Sequence, residues 1–300
     1  MFIINHRKIF FTISTLLIIG SFFVAYSYGL NFGIDFKGGS ILEISYEGDR
    51  PNTDEIKSQL NNLNLGSYIL TPVGDGGFIL KTKDIAPAEK TRILEIFSKN
   101  NQLQINEERF NSVGPTVGSE LKNKAYVAII IVIICIVLFI TFAFRKVSFP
   151  VSSWKYGLAT IIALVHDIII PTGIYIVWAY YRGGEIDLLF VTALLAILGY
   201  SVHDTIVVFD RVRENLRLNH DSRSEEAFIE TVGRSVTQTI GRSINTSLTI
   251  FLALIALYFV GGEATRNFAF ILLVGVIAGT YSSIFIASPL LVTLEKLQKK

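Results

Sequence analysis

The sequence predicts an α-helical polytopic membrane protein with six transmembrane helices and one α+β extracytoplasmic domain. Two observations lead to this fold class. First, the mean hydropathy is +0.50 and only 17% of the 300 residues are charged, against roughly 25% in a soluble domain. Second, the sequence contains six apolar runs close to the ~20 residues that a helix needs to cross a bilayer, and one long mixed segment separates the first two.

The predicted spans follow the apolar runs in order. They cover residues 9–28, 125–144, 156–179, 188–209, 243–260 and 268–294. The first run is long for the apolar core of a signal peptide, and residues 24–28 form a poor cleavage site, so an uncleaved anchor is favoured over a cleavable signal. The single cysteine, Cys135, lies in the second run, which excludes an internal disulfide.

Basic residues predict the orientation, because cytoplasmic loops are enriched in Lys and Arg. With six spans, one side of the membrane receives most of them: Arg7, Lys8, Arg145, Lys146, Lys155, Arg211, Arg213, Arg217, Arg223, Arg234, Lys296, Lys299 and Lys300. The prediction is a cytoplasmic N-terminus (1–8), a cytoplasmic loop at about 210–242 and a cytoplasmic tail (295–300), with spans two to six within 125–294. Residues 29–124 then lie outside the cytoplasm.

Residues 29–124 carry the pattern of a small folded domain. Strands are predicted at 39–47, 67–73, 78–83 and 104–110. Helices are predicted at 53–63, with Thr53 as a candidate N-cap, and at 87–99. The resulting order, β-α-β-β-α-β, is typical of a ferredoxin-like domain.

The chemistry of this domain favours binding or mechanical coupling. Its sequence shows no cluster with metal-ligand spacing, no nucleophile–base motif and no P-loop, so we predict neither an enzyme nor a cofactor. We interpret the pair Gly38–Gly39 as a turn or strand entry rather than a dinucleotide fingerprint. The net charge of +2 gives no basic footprint for nucleic acid.

Ionisable residues inside the spans are the candidate functional residues, because each costs at least about 2.5–3.5 kcal/mol at bilayer depth. They are His166 with Asp167, His203 with Asp204, and Arg242. We expect Asp204 and Arg242 to lie within the bundle and to pair. A static ion pair, and an Arg242 that extends to the membrane surface, remain open. For His166 and Asp167, a packing role is as compatible with the pattern as proton transfer.

Small residues in the last span predict close helix packing. Gly275, Gly279 and Ser283 follow a small-xxx-small spacing along one helix face. Two aspartates in the spans also raise intramembrane aspartyl proteolysis, but neither follows the GxGD pattern of that class.

Five stretches, together with the six-span layout, resemble the SecF subunits of the SecD/SecF family, a branch of the resistance–nodulation–division (RND) superfamily. They are residues 31–40 (NFGIDFKGGS), 114–118 (GPTVG), 164–167 (LVHD), 199–215 (GYSVHDTIVVFDRVREN) and 242–247 (RSINTS).

The resemblance implies a role in protein export. It implies a multi-pass subunit of the bacterial inner membrane, embedded in lipid, whose large loop is periplasmic. Its implied partners are SecD, the SecYEG channel, SecA, YajC and the preprotein substrates. In this family the residues at positions 204 and 242 are associated with proton movement, and the proton gradient completes preprotein translocation. Position 203 is commonly Asn in the family and is His203 here, so an imidazole lies beside the carboxylate.

Two other functions remain as alternatives. The first is one half of an RND-type small-molecule efflux transporter, although such transporters usually carry both halves and two large outer domains in one chain. The second is a passive membrane scaffold, which would not need ionisable residues at bilayer depth.

Overall fold

A computed structural model describes residues 1–63, 65–145 and 151–298 of the chain. It divides into two compact units. We call Met1–Asn31 with Val127–Lys300 the helical unit and Phe32–Tyr126 the sheet unit, and each is described by itself. Three of the basic residues used to predict the orientation, Lys146, Lys299 and Lys300, lie outside the described residues.

Six helices in the described part of the chain are long and apolar enough to cross a membrane, which confirms the predicted number. Long and short helices together are α1 (Phe2–Asn5), α2 (Arg7–Tyr28), α3 (Ile34–Lys37), α4 (Thr53–Asn61), α5 (Pro87–Phe97), α6 (Pro115–Ala143), α7 (Ser153–Arg182), α8 (Leu188–Asp221), α9 (Phe228–Val260), α10 (Glu263–Ser282) and α11 (Ser288–Gln298). The first five spans are α2, α6, α7, α8 and α9. The last span, Thr265–Leu297, includes α10, α11 and one π-helical segment between them, Ser283–Ala287, which we call the π turn.

The predicted cytoplasmic loop at about 210–242 is wrong as a loop. Helix α8 continues to Asp221 and α9 begins at Phe228, so only six residues, Ser222–Ala227, connect the two helices. Charged residues just beyond the fourth predicted span pair along α8, with Asp210 bonded to Arg213. The two helices therefore extend as a helical hairpin well beyond their apolar runs.

The core of the helical unit lies between α7, α8 and the last span, which are far more buried than α2, α6 and α9. Tyr156 stacks on Phe144 with ring centroids 5.3 Å apart and meets the edge of Phe209 at 5.2 Å. Ile4 of α1 is fully buried in the same core. Hydropathy does not reveal α1, because a helix of four residues is too short to give a periodic signal.

The sheet unit contains a four-stranded antiparallel sheet in the order β2-β3-β1-β4. Its strands are β1 (Gly39–Tyr46), β2 (Ile69–Val73), β3 (Gly77–Thr82) and β4 (Ile105–Val113). Alternate residues of β1 and β3, including Leu42, Ile44 and Leu80, are buried in one cluster with residues of α4 and α5. Apart from the short α3, the elements follow the predicted order β-α-β-β-α-β.

One detail of α4 differs from the prediction. The N-cap is Asn52 rather than Thr53, and the side chain of Asn52 accepts a hydrogen bond from the backbone N–H of Asp54 at 2.9 Å.

Tyr46 of β1 is buried, and its hydroxyl donates to the carbonyl of Phe97 at 3.0 Å. Burial raises the pKa of that phenol well above its ordinary value.

Two of the stretches that carry the family resemblance contact each other in the sheet unit. Gly38 has φ +79°, and a Cβ there would lie 2.7 Å from the Cα of Pro115. A Cβ at Gly118 would lie 2.9 Å from the backbone nitrogen of Gly38. Only glycine fits such close backbone contact, so these residues are structural, in agreement with the interpretation of Gly38 as a turn glycine.

Candidate functional site

Asp167 is at the centre of one buried polar cluster. Its carboxylate is fully buried, and its Oδ1 accepts from Nδ1 of the adjacent His166 at 2.8 Å. Its Oδ2 accepts from the hydroxyls of Ser201 on α8 and Ser282 on α10, the latter at 2.7 Å. The carboxylate thus bonds to side chains from three helices.

The cluster extends to α2 through an aromatic ring. His166 stacks on Tyr281 of α10 with ring centroids 5.8 Å apart. The Tyr281 hydroxyl donates to the carbonyl of Phe10 at 3.1 Å and accepts from Ser14 at 3.3 Å. The Nε2 atom of His166 is buried and has no hydrogen-bond partner among the described residues.

A proline in α7 lies one turn beyond this cluster. Pro171 is inside the helix and has no N–H, so it cannot donate to the carbonyl of Asp167 four residues earlier. Gly173 follows, and a Cβ there would collide with Ser21 of α2. The missing hydrogen bond therefore weakens the helix backbone of α7 at Asp167. The small size of Gly173 lets α2 pack closely against α7.

Asp204 occupies a second polar site, one turn after Ser201 along α8. Its side chain is 6% exposed, and its Oδ1 accepts from the Ser243 hydroxyl of α9 at 2.5 Å. Its Oδ2 is buried without a hydrogen-bond partner among the described residues. Asp204 therefore differs from Asp167, because it has one donor rather than three and one oxygen left unpaired.

Hydroxyl groups extend the Asp204 site toward the last span. Ser247, one turn beyond Ser243, contacts the Tyr200 hydroxyl at 2.5 Å and Thr280 at 2.6 Å. Thr205, next to Asp204, contacts Ser283 at 2.8 Å. Ser283 begins the π turn, so this turn contacts α8 at the residue that follows Asp204, and π-helical turns occur frequently at functional sites.

The expected ion pair between Asp204 and Arg242 is not formed in the described part of the chain. The Arg242 side chain is exposed, and the neighbouring Ser243 makes the contact with the carboxylate instead. Consecutive positions on a helix point about 100° apart, so Arg242 and Ser243 face different surroundings.

Several polar residues near Asp204 are exposed in the isolated chain. His203 on α8 is exposed, as are Asn245, Thr246 and Thr249 on α9. Helical spacing puts residues 242, 246 and 249 on one face of α9, and their common exposure shows that this face points away from the core. We call His203, Arg242, Asn245, Thr246 and Thr249 the exposed polar face.

The small-residue stripe of the last span packs against α8 inside the helical unit. A Cβ at Gly279 would lie 3.0 Å from the Cβ of Ser201, and a Cβ at Gly275 would collide with Ile197. Ser283 also donates to the carbonyl of Ser201 at 3.3 Å. The stripe brings the last span close enough for Ser282 to reach Asp167.

A third polar cluster joins α8 to α9 around their connection, a region for which we predicted no functional residue. Glu226 accepts hydrogen bonds from Asn219 at 2.6 Å, Thr231 at 3.0 Å and Arg234 at 2.6 Å. Burial acts to raise the pKa of the Glu226 carboxyl, but the hydrogen bonds from Asn219 and Thr231 and the charge and hydrogen bond of Arg234 outweigh it and hold that pKa below its ordinary value. The described residues contain no group of three or more His, Cys, Asp or Glu side chains placed to hold a metal ion.

Comparison with known proteins gives two family matches. The family described as "Protein export membrane protein SecD/SecF, C-terminal" matches residues 93–297, and the "SecD/SecF GG Motif" matches residues 26–49. The chain is 40% identical over 307 residues to the protein translocase subunit SecF of Thermobaculum terrenum, covering 98% of this chain and 93% of that protein. It is 37% identical over 295 residues to SecF of Anaerolinea thermophila, covering 98% and 94%.

Longer proteins match as well. The chain is 37% identical over 268 residues to the protein translocase subunit SecDF of Brucella abortus, of which it covers 33%. It superimposes on the crystal structure of SecDF, a translocon-associated membrane protein from Thermus thermophilus, with a TM-score of 0.79 and 32% identity. That match covers 98% of this chain and 38% of the SecDF chain, so the chain spans little more than a third of SecDF.

Proposed function

We propose a function from one premise: the chain belongs to the SecD/SecF family of protein-export membrane proteins. It is accordingly a multi-pass membrane protein and a subunit of a protein translocase. Its role is transport rather than catalysis, because it moves a polypeptide and breaks no bond in it. Within that role, we propose that proton exchange at Asp204 couples the proton gradient to preprotein movement.

The observation that carries this proposal is the contact between Asp204 and Ser243. It is a buried contact between a single carboxylate oxygen and a single hydroxyl, and it joins α8 to α9. The second oxygen, Oδ2, has no partner among the described residues and is free to receive a proton. A carboxyl group held in this way changes its contacts with its charge, because the ionised form only accepts hydrogen bonds and the protonated form also donates.

The energies are sufficient for such a switch. A hydrogen bond to a charged group contributes about 1.5–3 kcal/mol. One proton moving through 100 mV supplies about 2.3 kcal/mol. One proton per event is therefore enough to bias the Asp204–Ser243 contact between a closed and an open state. In the cycle we propose, protonation loosens this contact, α8 and α9 shift, and the sheet unit moves and assists the preprotein.

The exposed polar face supports SecD as the partner. Polar side chains in a membrane span must be satisfied by protein or water rather than lipid. A second, SecD-type chain that covers His203 and Arg242 meets this requirement and supplies an acceptor for the Arg242 guanidinium. SecDF proteins, in which this chain covers only about a third of the length, support such a pairing.

We propose the rest of the assembly on the family relationship. The chain lies in the bacterial inner membrane with both termini in the cytoplasm and the sheet unit in the periplasm, an orientation supported by the basic residues near the span ends. The pair works with the SecYEG channel and with SecA and YajC, and its substrates are preproteins. The sheet unit then meets the preprotein as it leaves the channel.

Preprotein translocation into membrane vesicles tests this function. Asp204→Asn keeps the shape of the side chain but cannot exchange a proton. We expect this variant to insert in the membrane and to support SecA-driven export, yet to lose stimulation by a proton gradient. Asp221→Asn, the same substitution at the exposed end of α8, is the matched control and is expected to respond as the wild type does. Full stimulation of the Asp204→Asn variant would refute the proposed function.

A further inference from the structure

We propose that Asp167 is a positioning residue for the proton site. Its carboxylate fixes α7, α8 and the last span in one frame, and it carries no proton during the cycle. This inference rests on the proposed function of Asp204 and adds a division of roles between the two buried carboxylates. Asp204 changes its contacts, and Asp167 keeps them.

The first argument is the occupancy of the Asp167 oxygens. Both are used: Oδ1 by His166, and Oδ2 by two hydroxyls that are themselves fully buried, Ser201 and Ser282. A proton placed on Oδ2 would displace one of these donors within a close-packed interior. Asp204, by contrast, has an oxygen with no donor.

The second argument is which helices the two carboxylates join. Asp167 bonds to side chains of α7, α8 and α10, and the Tyr281 ring extends this cluster to α2. Within the described part of the chain, no hydrogen bond of Asp167 goes to α9. Among the described residues, the Asp204 side chain is bonded only to α9, through Ser243. A change at Asp204 therefore acts on the contact between α8 and α9, while the contacts of Asp167 join the other helices.

The third argument is the spacing of Ser201 and Asp204 along α8. Ser201, one of the donors to Asp167, precedes Asp204 by three residues, which places both near the same face of the helix. A Cβ at Gly279 would lie 3.0 Å from the Cβ of Ser201, so the last span packs closely on α8 at this point. Fixing Ser201 therefore fixes the position at which the Asp204 carboxylate meets α9.

The variants Asp167→Asn and Asp167→Ala separate positioning from proton carriage. Asn keeps the shape, can accept from His166 through its carbonyl and can donate to a serine hydroxyl through its amide, whereas Ala keeps none of these bonds. We measure gradient-stimulated export and thermal unfolding of the full chain with its SecD-type partner. We expect Asp167→Asn to retain most of the stimulation with an unchanged pH profile. We expect Asp167→Ala to lose both stimulation and stability.

Two results would overturn the inference. One is a folded Asp167→Asn variant that loses stimulation as Asp204→Asn does, because Asp167 would then exchange protons. The other is an Asp167→Ala variant with wild-type stimulation and stability, because the contacts would then position nothing. The proposed function fails separately, if Asp204→Asn responds fully to the gradient whatever the Asp167 variants do.

A further pair of variants decides the case in which Asp167→Asn does not fold. Ser282→Ala and Ser201→Ala each remove one donor to the carboxylate. A lost hydrogen bond to a charged group lowers the ratio of folded to unfolded protein by about tenfold or more. We expect stimulation to fall together with stability in both variants, while the pH at half-stimulation stays constant. A shift in that pH without a change in stability would contradict a positioning role.

Discussion

Gly279 in the last span offers a direct test of the packing that surrounds the site. A Cβ at this position would lie 3.0 Å from the Cβ of Ser201, which is fully buried and bonded to Asp167. In the substitution Gly279→Ala, replacement of a helical glycine by alanine contributes up to about 1 kcal/mol of stability. Overpacking of a close-packed interior costs about 1–3 kcal/mol. We therefore expect a net destabilisation of up to about 2 kcal/mol, since Ser201 must shift to make room for the new methyl group.

Gly20→Ala is the matched control. Gly20 lies inside α2, and no atom comes within 4 Å of the position that its Cβ would occupy. This variant gains helix propensity without a steric cost and is expected to be as stable as the wild type or slightly more stable. Reversible unfolding in detergent, followed by circular dichroism, measures both variants. A Gly279→Ala protein as stable as Gly20→Ala would refute the close contact between the last span and α8.

Three further predictions concern other parts of the chain. Residues 32–126, expressed alone, are expected to give an α/β circular dichroism spectrum and a cooperative melt, whereas a random-coil spectrum would refute an independent domain. The pKa of Glu226 is lowered, so its stabilisation of the α8–α9 connection is present above the unfolded value of about 4.3 and is lost as the pH falls through the folded value. Protection of the amides at 222–234 from hydrogen exchange, relative to the intrinsic rate at each pH, should therefore fall in acid in the wild type, and an equal fall in Glu226→Gln would contradict this assignment. Arg242→Lys is expected to impair export less than Arg242→Ala, because it keeps the charge and loses only the planar fork. Equal impairment of the two variants would show that the charge of Arg242 has no part in export.

The six spans could be predicted from the sequence because a helix must be apolar to cross the bilayer, and hydropathy measures that property directly. It was not sufficient for residues 210–242, where the helices carry polar residues and extend beyond their apolar runs. Periodicity contained the missing signal: Phe228, Val232 and Val236 are buried at intervals of four residues along α9. In the sheet unit, alternation and turn residues located the strands to within a few residues.

The candidate site was predictable residue by residue only in part. Helical spacing puts Ser201 and Asp204 on one face of α8, and both residues are buried. It did not select Ser243 over Arg242 as the partner of Asp204, because the pattern along one helix does not show where the neighbouring helix lies. The bonds from Ser201 and Ser282 to Asp167 depend on contacts between helices far apart in the chain, and no local pattern predicts them.

The central claim is that the Asp204 carboxyl takes up and releases a proton, and infrared difference spectroscopy of the reconstituted pair tests it most directly. Spectra recorded on either side of the pH of half-stimulation should contain a band from a buried protonated carboxylic acid. We predict that the band is absent in Asp204→Asn and unchanged in Asp167→Asn. A band that persists in Asp204→Asn would contradict the account, because the proton would then bind at another carboxyl group.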